Sequence, residues 1–136
     1  DRRKMSKSYG NAIFLSDSPE AVAAKVAGMV TDPQRMRKSD PGDPEVCNVY
    51  DFHKLYSPPE VVQEVNRRCR SADIGCVQCK KRLALRIAEG LKPIHERQDY
   101  YRAHMQEVHD IIADGNERAR KVARATMAEV REAVRI

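Results

Sequence analysis

The chain reads as an all-α array. Apolar residues recur at helical spacing through most of its length, capping residues followed by proline mark helix starts, and the composition is that of a helix-rich soluble protein, with 41% hydrophobic, 33% charged and 5% aromatic residues. Its 136 residues suffice for one domain that buries a core without help from disulfides or metal. No apolar run approaches the roughly 20 residues of a membrane helix, so no membrane partner is expected.

The first ten residues are rich in Lys, Ser and Gly and have no apolar period, so they are expected to form a loop, with Ala12 to Leu15 as a short extended exit. Ser18 is placed to cap a helix that has Pro19 at its first position and Val22, Val26, Met29 and Val30 on one face. Asp32-Pro33 repeats that signal and predicts a short second helix. Two prolines and a glycine make 40–44 a turn, and a helix is expected from Pro44 to Tyr56. Ser57-Pro58-Pro59-Glu60 has the form of a capping box, in front of a helix with Val61, Val62, Val65 and Cys69 on one face. Ile74-Gly75 ends that helix. A long one follows from near Cys79, with Leu83, Ile87, Leu91 and Ile94 as its buried stripe and a bend at Pro93. In the last third, Val108, Ile111, Ile112, Val122, Met127, Val130 and Val134 are expected to be core.

A net charge of +5 is compatible with a polyanionic partner. Arg2, Arg3, Lys4 and Lys7 crowd the start, Arg35, Arg37 and Lys38 follow, and Arg67, Arg68, Arg70, Lys80, Lys81 and Arg82 bracket three of the cysteines. Taken singly, each cluster fits a solvated helix surface equally well. The opening Asp1-Arg2-Arg3-Lys4, with neither an initiator methionine nor a signal peptide, is expected of a piece of something longer.

Lys4-Met5-Ser6-Lys7-Ser8, then Tyr9-Gly10-Asn11, has the chemistry of a phosphate clamp. It offers two ammonium groups, two hydroxyls, exposed backbone donors and a glycine that permits unusual backbone angles. Such a pentapeptide is also what a solvated loop looks like. Cys47, Cys69, Cys76 and Cys79 are spaced C-x21-C-x6-C-x2-C. Disulfides are not expected in a chain with its own core and no export signal. Buried apolar thiols are one reading. The other is a four-thiolate centre, because Cys76 and Cys79 form a chelating turn; four thiolates suit zinc or an iron–sulfur cluster. A zinc ribbon brings two C-x2-C knuckles, and here there is one. His53, His95, His104 and His109 show no ligand spacing and read as ordinary polar residues. No Ser/His/Asp set, carboxylate pair or Walker loop is present.

The stretch from Lys4 to Ser8, KMSKS, is identified as the second signature of the class I aminoacyl-tRNA synthetases. Beyond it, Thr31-Asp32, 40–42 with Val49-Tyr50, 80–84, 91–97 and 114–134 resemble the bacterial tryptophanyl-tRNA synthetase family. The tyrosyl family is the nearest competitor, and a stand-alone helical nucleic-acid-binding module with a structural metal, or a redox carrier, is the alternative from another class. The resemblance implies ATP-dependent activation of tryptophan and its transfer to tRNA(Trp), in the cytoplasm, with ATP and Mg2+ as co-substrate. Residues 1–16 would be the signature loop and exit from an α/β catalytic domain that lies upstream, through which the enzyme forms a homodimer. Residues 17–136 would be the helical, anticodon-side domain. Lys4 and Lys7 would be catalytic, holding the ATP phosphates together with Met5, Ser6 and Ser8. Some members carry a [4Fe-4S] cluster on a pattern whose first gap is one residue longer, which implies such a cluster on Cys47, Cys69, Cys76 and Cys79, with zinc as the alternative. The basic residues beside it, Arg67, Arg68, Lys80 and Lys81, would face the tRNA.

Overall fold

A computed structural model describes residues 3–135, and among them the secondary structure is wholly helical. Five α-helices follow one another: α1 (Pro19–Ala27), α2 (Asn48–Tyr56), α3 (Pro59–Arg70), α4 (Cys76–Ala103) and α5 (Met105–Val134). Two 3-10 turns, Lys7–Tyr9 and Pro44–Val46, precede α1 and α2. The chain divides into two compact units, Asp1–His95 and Glu96–Ile136, with the boundary inside α4.

The first unit holds the core. Val22 and Val26 of α1, Val49 of α2, Val65 of α3, and Leu83 and Ile87 of α4 are fully buried against one another. Those of α1, α3 and α4 belong to the stripes that helical spacing predicted. Each such side chain contributes about 1.5–3 kcal/mol on burial. Ser18 caps α1 as expected, its hydroxyl accepting from the Ala21 amide at 3.2 Å. The ends of the stripes fall outside the core, with Val30 and Ile94 exposed. Pro93 lies inside α4, which continues through it.

Several local expectations are corrected. No helix follows Asp32. Its buried carboxylate accepts from the Gln34 amide at 2.9 Å and the Asp43 amide at 2.8 Å, closing 32–43 into a loop, and the cap-and-proline signal is spent on that closure. The helix expected from Pro44 is broken at Cys47, whose extended backbone separates the 3-10 turn from α2. Ser57 makes no capping box: Pro58 is the N-cap of α3, and the Ser57 hydroxyl bonds the His53 ring instead, at 2.8 Å. α4 starts at Cys76, one turn earlier than expected.

Glu64 ties α3 to α4. Its two oxygens accept from Arg68 Nη1 at 3.0 Å and Arg82 Nη2 at 2.6 Å, and the paired guanidinium groups hold its carboxyl at about 2, from an ordinary 4.5. A lowered folded-state value means stability that is complete above the unfolded value and lost as pH falls through the folded one. The stability difference between wild type and Glu64→Gln is therefore expected to be constant above about pH 5 and to vanish between about pH 4.5 and 2. Urea midpoints measured across that range check this; parallel curves for the two proteins would show that the carboxylate contributes nothing.

In the second unit, the ring of Tyr100 stacks on His104 with centroids 4.2 Å apart, and its hydroxyl donates to Glu107 Oε2 at 2.9 Å across the α4–α5 junction. α5 buries none of its residues. The core expected from Ile111, Ile112, Val122, Met127, Val130 and Val134 is thus absent among the described residues, and all six are exposed. Periodicity reports that a helix is amphipathic, not what covers its apolar face.

Candidate functional site

Two places gather the residues that the sequence singles out, and both lie in the first unit. At the first, residues 4–10 form a tight loop around the 3-10 turn. Ser6 caps that turn, its hydroxyl accepting from the Ser8 amide at 3.3 Å, and Gly10 ends it in the left-handed region at φ 62°. Glycine takes this conformation without the steric penalty of a Cβ. Asn11 braces the loop from behind. Its Oδ1 accepts from the Ser6 amide at 2.9 Å while its Nδ2 donates to the Lys4 carbonyl at 3.4 Å. Asn11 therefore acts as a positioning residue that loop composition alone did not distinguish from its neighbours.

The braced backbone leaves Lys4, Lys7 and Ser8 on the surface, with Ser6 half-buried and Met5 44% exposed. Neither lysine makes an ion pair among the described residues. Two unneutralised ammonium groups three residues apart, on a fixed turn with hydroxyl and amide donors, are equipped to hold oxyanions.

The second place gathers the four cysteines from three elements. Cys47 is the N-cap of α2, Cys69 lies in the last turn of α3, and Cys76 and Cys79 open α4. All four are free thiols. Burial, and then the proximity of Cys47, Cys69 and Cys76, push the Cys79 thiol up to about 12. Cys69 is raised too, by burial first, with Cys47 and Cys76 adding to the shift against the nearby Arg35. The thiols thus stand close enough to oppose one another's ionisation. The shifts hold Cys69 and Cys79 as neutral thiols.

Other groups close in on the sulfurs. The Gly42 amide donates to the Cys69 carbonyl at 3.0 Å, and a Cβ at Gly42 would come within 2.7 Å of Cys69 Sγ. Only glycine lets the loop lie that close. Arg35 directs Nη1 to Cys69 Sγ at 3.7 Å and Nη2 to the carbonyls of Lys38 at 2.8 Å and Ile74 at 2.9 Å. Its buried Nε has no partner. His53, fully buried, sets Nε2 3.6 Å from Cys79 Sγ while Nδ1 meets Ser57 Oγ. Burial lowers its pKa, so the ring is held neutral beside the thiol. His53 is thus a satisfied polar residue, and its approach to Cys79 is one that sequence spacing did not indicate. Val49, Tyr50 and His53 share a helical face, which signals burial of His53 but not its nearness to a cysteine. No group of three or more His, Cys, Asp or Glu side chains among the described residues is disposed to hold a single metal ion.

The four basic residues beside the cysteines divide into two kinds. Arg68 is spent on Glu64 and on the Asp73 carbonyl at 3.1 Å, and Lys80 donates to the Ala27 carbonyl at 2.8 Å, at the C-terminus of α1. Arg67 and Lys81 are exposed.

Comparison with known proteins gives a consistent picture. The family described as tRNA synthetases class I (W and Y) matches residues 1–92. The tryptophan–tRNA ligase of Aquifex aeolicus is 44% identical over all of this chain and 35% of its own length. That of Deinococcus radiodurans is 45% identical over 96% of the chain and 40% of its length. The Thermotoga maritima ligase is 42% identical over the whole chain and 42% of its length. The chain thus spans well under half of these relatives. Among solved structures, the tryptophanyl-tRNA synthetase of Aeropyrum pernix is similar at a TM-score of 0.58 and 30% identity, over 74% of this chain and 29% of that one. The Plasmodium falciparum tryptophanyl-tRNA synthetase, at a TM-score of 0.55 and 19% identity over 68% of this chain and 27% of that one, shares the fold.

Proposed function

Because the chain belongs to the class I tRNA synthetases of the tryptophan and tyrosine group, we propose that it is the part of a tryptophan–tRNA ligase that runs from the ATP-phosphate loop into the tRNA-facing helical domain. One observation carries this reading. Agreement with tryptophan–tRNA ligases extends over the whole chain at 44% identity, and the KMSKS segment within it is folded as a braced loop with free cations. In function, residues 1–16 are the loop and the exit from the catalytic domain, and 17–136 the part that meets tRNA. The whole enzyme acts in the cytoplasm as a homodimer formed through that catalytic domain. Its substrates are tryptophan, ATP with Mg2+, and tRNA(Trp).

In the first reaction the tryptophan carboxylate attacks the α-phosphorus of ATP, and the bond to the β-phosphate bridging oxygen breaks. Negative charge moves onto the departing pyrophosphate. Lys4 and Lys7 stabilise that charge more strongly than the ground state, with Lys7 the principal contributor, and Ser6 and Ser8 donate hydrogen bonds. Met5, half exposed within the same loop, lies against the nucleotide. The loop closes over ATP and opens to release pyrophosphate.

Cys47, Cys69, Cys76 and Cys79 hold one [4Fe-4S] cluster, and zinc is the competing occupant. A tetrahedral zinc with bonds of about 2.3 Å draws its thiolates to about 3.8 Å from one another. The single C-x2-C turn, where a zinc ribbon brings two such knuckles, favours the cluster. When bound, the cluster supplies metal–thiolate bonds that join α2, α3 and α4. Arg35 and His53 orient the Cys69 and Cys79 sulfurs. Of the basic residues alongside, Arg67 and Lys81 reach tRNA directly, while Arg68 and Lys80 keep α3 and α4 in place for them.

Tryptophan-dependent ATP–pyrophosphate exchange tests the reading. Full-length protein is expected to catalyse it with tryptophan and not with tyrosine, and residues 1–136 alone are expected to show none. Exchange driven by tyrosine would move the chain to the other branch of the family.

A further inference from the structure

We propose that His95 is a positioning residue for the activation step: its hydrogen bond to the Leu15 carbonyl anchors the exit of the KMSKS loop on α4 and so aims Lys7 at the phosphates. This rests on the tRNA-ligase reading above and adds to it a residue that lies far from the loop in sequence.

The loop needs such an anchor. Residues 4–11 are braced internally by Ser6, Gly10 and Asn11, so they move as one piece, and the aim of that piece depends on what holds its ends. Downstream, residues 11–18 carry neither helix nor strand. Ile13 packs against the core, whereas Phe14 and Leu15 are 39% and 61% exposed. Apolar burial therefore fixes the start of the exit and leaves the turn after it to polar contacts.

Those contacts arrive from two helices. Within the turn, the Asp17 amide donates to the Phe14 carbonyl at 3.1 Å, and the Phe14 amide donates to Asp17 Oδ2 at 2.8 Å. Lys25 of α1 pairs with the same carboxylate, and its Nζ lies 4.4 Å from the centre of the Phe14 ring. From α4, His95 Nε2 stands 3.0 Å from the Leu15 carbonyl, across 80 residues of sequence. A carbonyl only accepts, so Nε2 carries the proton and donates.

Helix α4 is a firm post for that donor. Leu83, Ile87 and Leu91 are buried at four-residue spacing, and His95, half-buried, is the next position on the same row. An aliphatic side chain there would continue the stripe and leave the Leu15 carbonyl without its donor from α4. Misplacing a reacting geometry by about 1 Å costs as much as ~100-fold in rate, but one neutral hydrogen bond shifts the population of aimed loop by only about three- to tenfold. The smaller figure sets the effect.

The test uses full-length protein and single-turnover adenylate formation with titrated tryptophan, normalised to active sites. His95→Leu is expected to lower the activation rate about three- to tenfold, with tryptophan affinity within about twofold of wild type. His95→Gln keeps an N–H donor at about the same reach and is expected to restore at least about half of the wild-type rate. In a Lys7→Ala background the principal ammonium to be aimed is gone, so adding His95→Leu is expected to cost less than about twofold more. A general loss of folding would slow both backgrounds alike. Equal losses in the two backgrounds, a wild-type rate in His95→Leu, or a glutamine variant as slow as the leucine one would each overturn the proposal while leaving the ligase reading intact. His95→Ala takes the same place in the cycle if the leucine variant melts early. Wild-type protein that forms no adenylate from tryptophan would sink that reading and this role with it.

Discussion

In full-length protein, Lys7→Ala is expected to lower the rate of tryptophan activation by about 10²- to 10³-fold, with tryptophan affinity changed less than about twofold. The size follows from where the charge appears. Lys7 begins the 3-10 turn held between the Ser6 cap and Gly10, and the loop backbone is braced by Asn11, so the ammonium is carried on a preformed support. It is exposed and makes no ion pair within the described residues, so its removal leaves no orphaned carboxylate. Stability should therefore be nearly unchanged. The partner charge develops on pyrophosphate only as the bond to the α-phosphorus breaks, which places the loss in the activation rate. Single-turnover adenylate formation with titrated tryptophan separates the two quantities. An equal loss in both would make Lys7 a ground-state binding residue and contradict its proposed role.

Cys76→Ser is expected to abolish the broad visible absorption of the cluster and to reduce tRNA(Trp) charging at least tenfold, while ATP–pyrophosphate exchange stays within about threefold of wild type. Cys76 is the first residue of α4 and one of the gathered thiols. Losing the ligand frees the α4 entrance from α2 and α3, and with it the placement of Lys81 and of the 35–38 loop. The KMSKS loop is braced by its own hydrogen bonds, independent of the cysteines, which is why activation is spared. Anaerobically purified protein is expected to contain iron and sulfide at four of each per chain. Stoichiometric zinc with no iron, or normal charging by the serine variant, would refute the assignment.

Features set by a single local interaction were legible in the sequence. Ser18-Pro19 starts α1 because both residues favour that conformation on their own, and the stripes of α3 and α4 are buried where their period placed them. Features set by a competing partner were not. Asp32 caps two loop amides rather than a helix because the Asp43 amide is within reach, and Ser57 gives its hydroxyl to His53 rather than to a capping box. Asp43 lies eleven residues beyond Asp32, and His53, though four residues before Ser57, has no place in the capping-box pattern. The apolar face of α5 had a clear period and no described cover, since amphipathicity identifies a face and not its neighbour.

The site divides in the same way. KMSKS and the cysteine spacing are short patterns and stood out at once. Arg35 and His53, which approach the sulfurs from other elements, have no spacing relation to the cysteines and needed the fold to bring them in. The basic residues were legible as clusters, but which were free was not. Arg68 and Lys80 are consumed by internal partners, whereas Arg67 and Lys81 are exposed.

The central claim is that this chain serves a tryptophan–tRNA ligase, and end-point aminoacylation by the full-length protein tests it most directly. With ATP, Mg2+ and a tRNA(Trp) transcript, tryptophan is expected to be esterified to the tRNA to near completion, while tyrosine with tRNA(Tyr) gives no product. Charging of tRNA(Tyr) with tyrosine, or no charging of either tRNA by folded protein, would contradict the account.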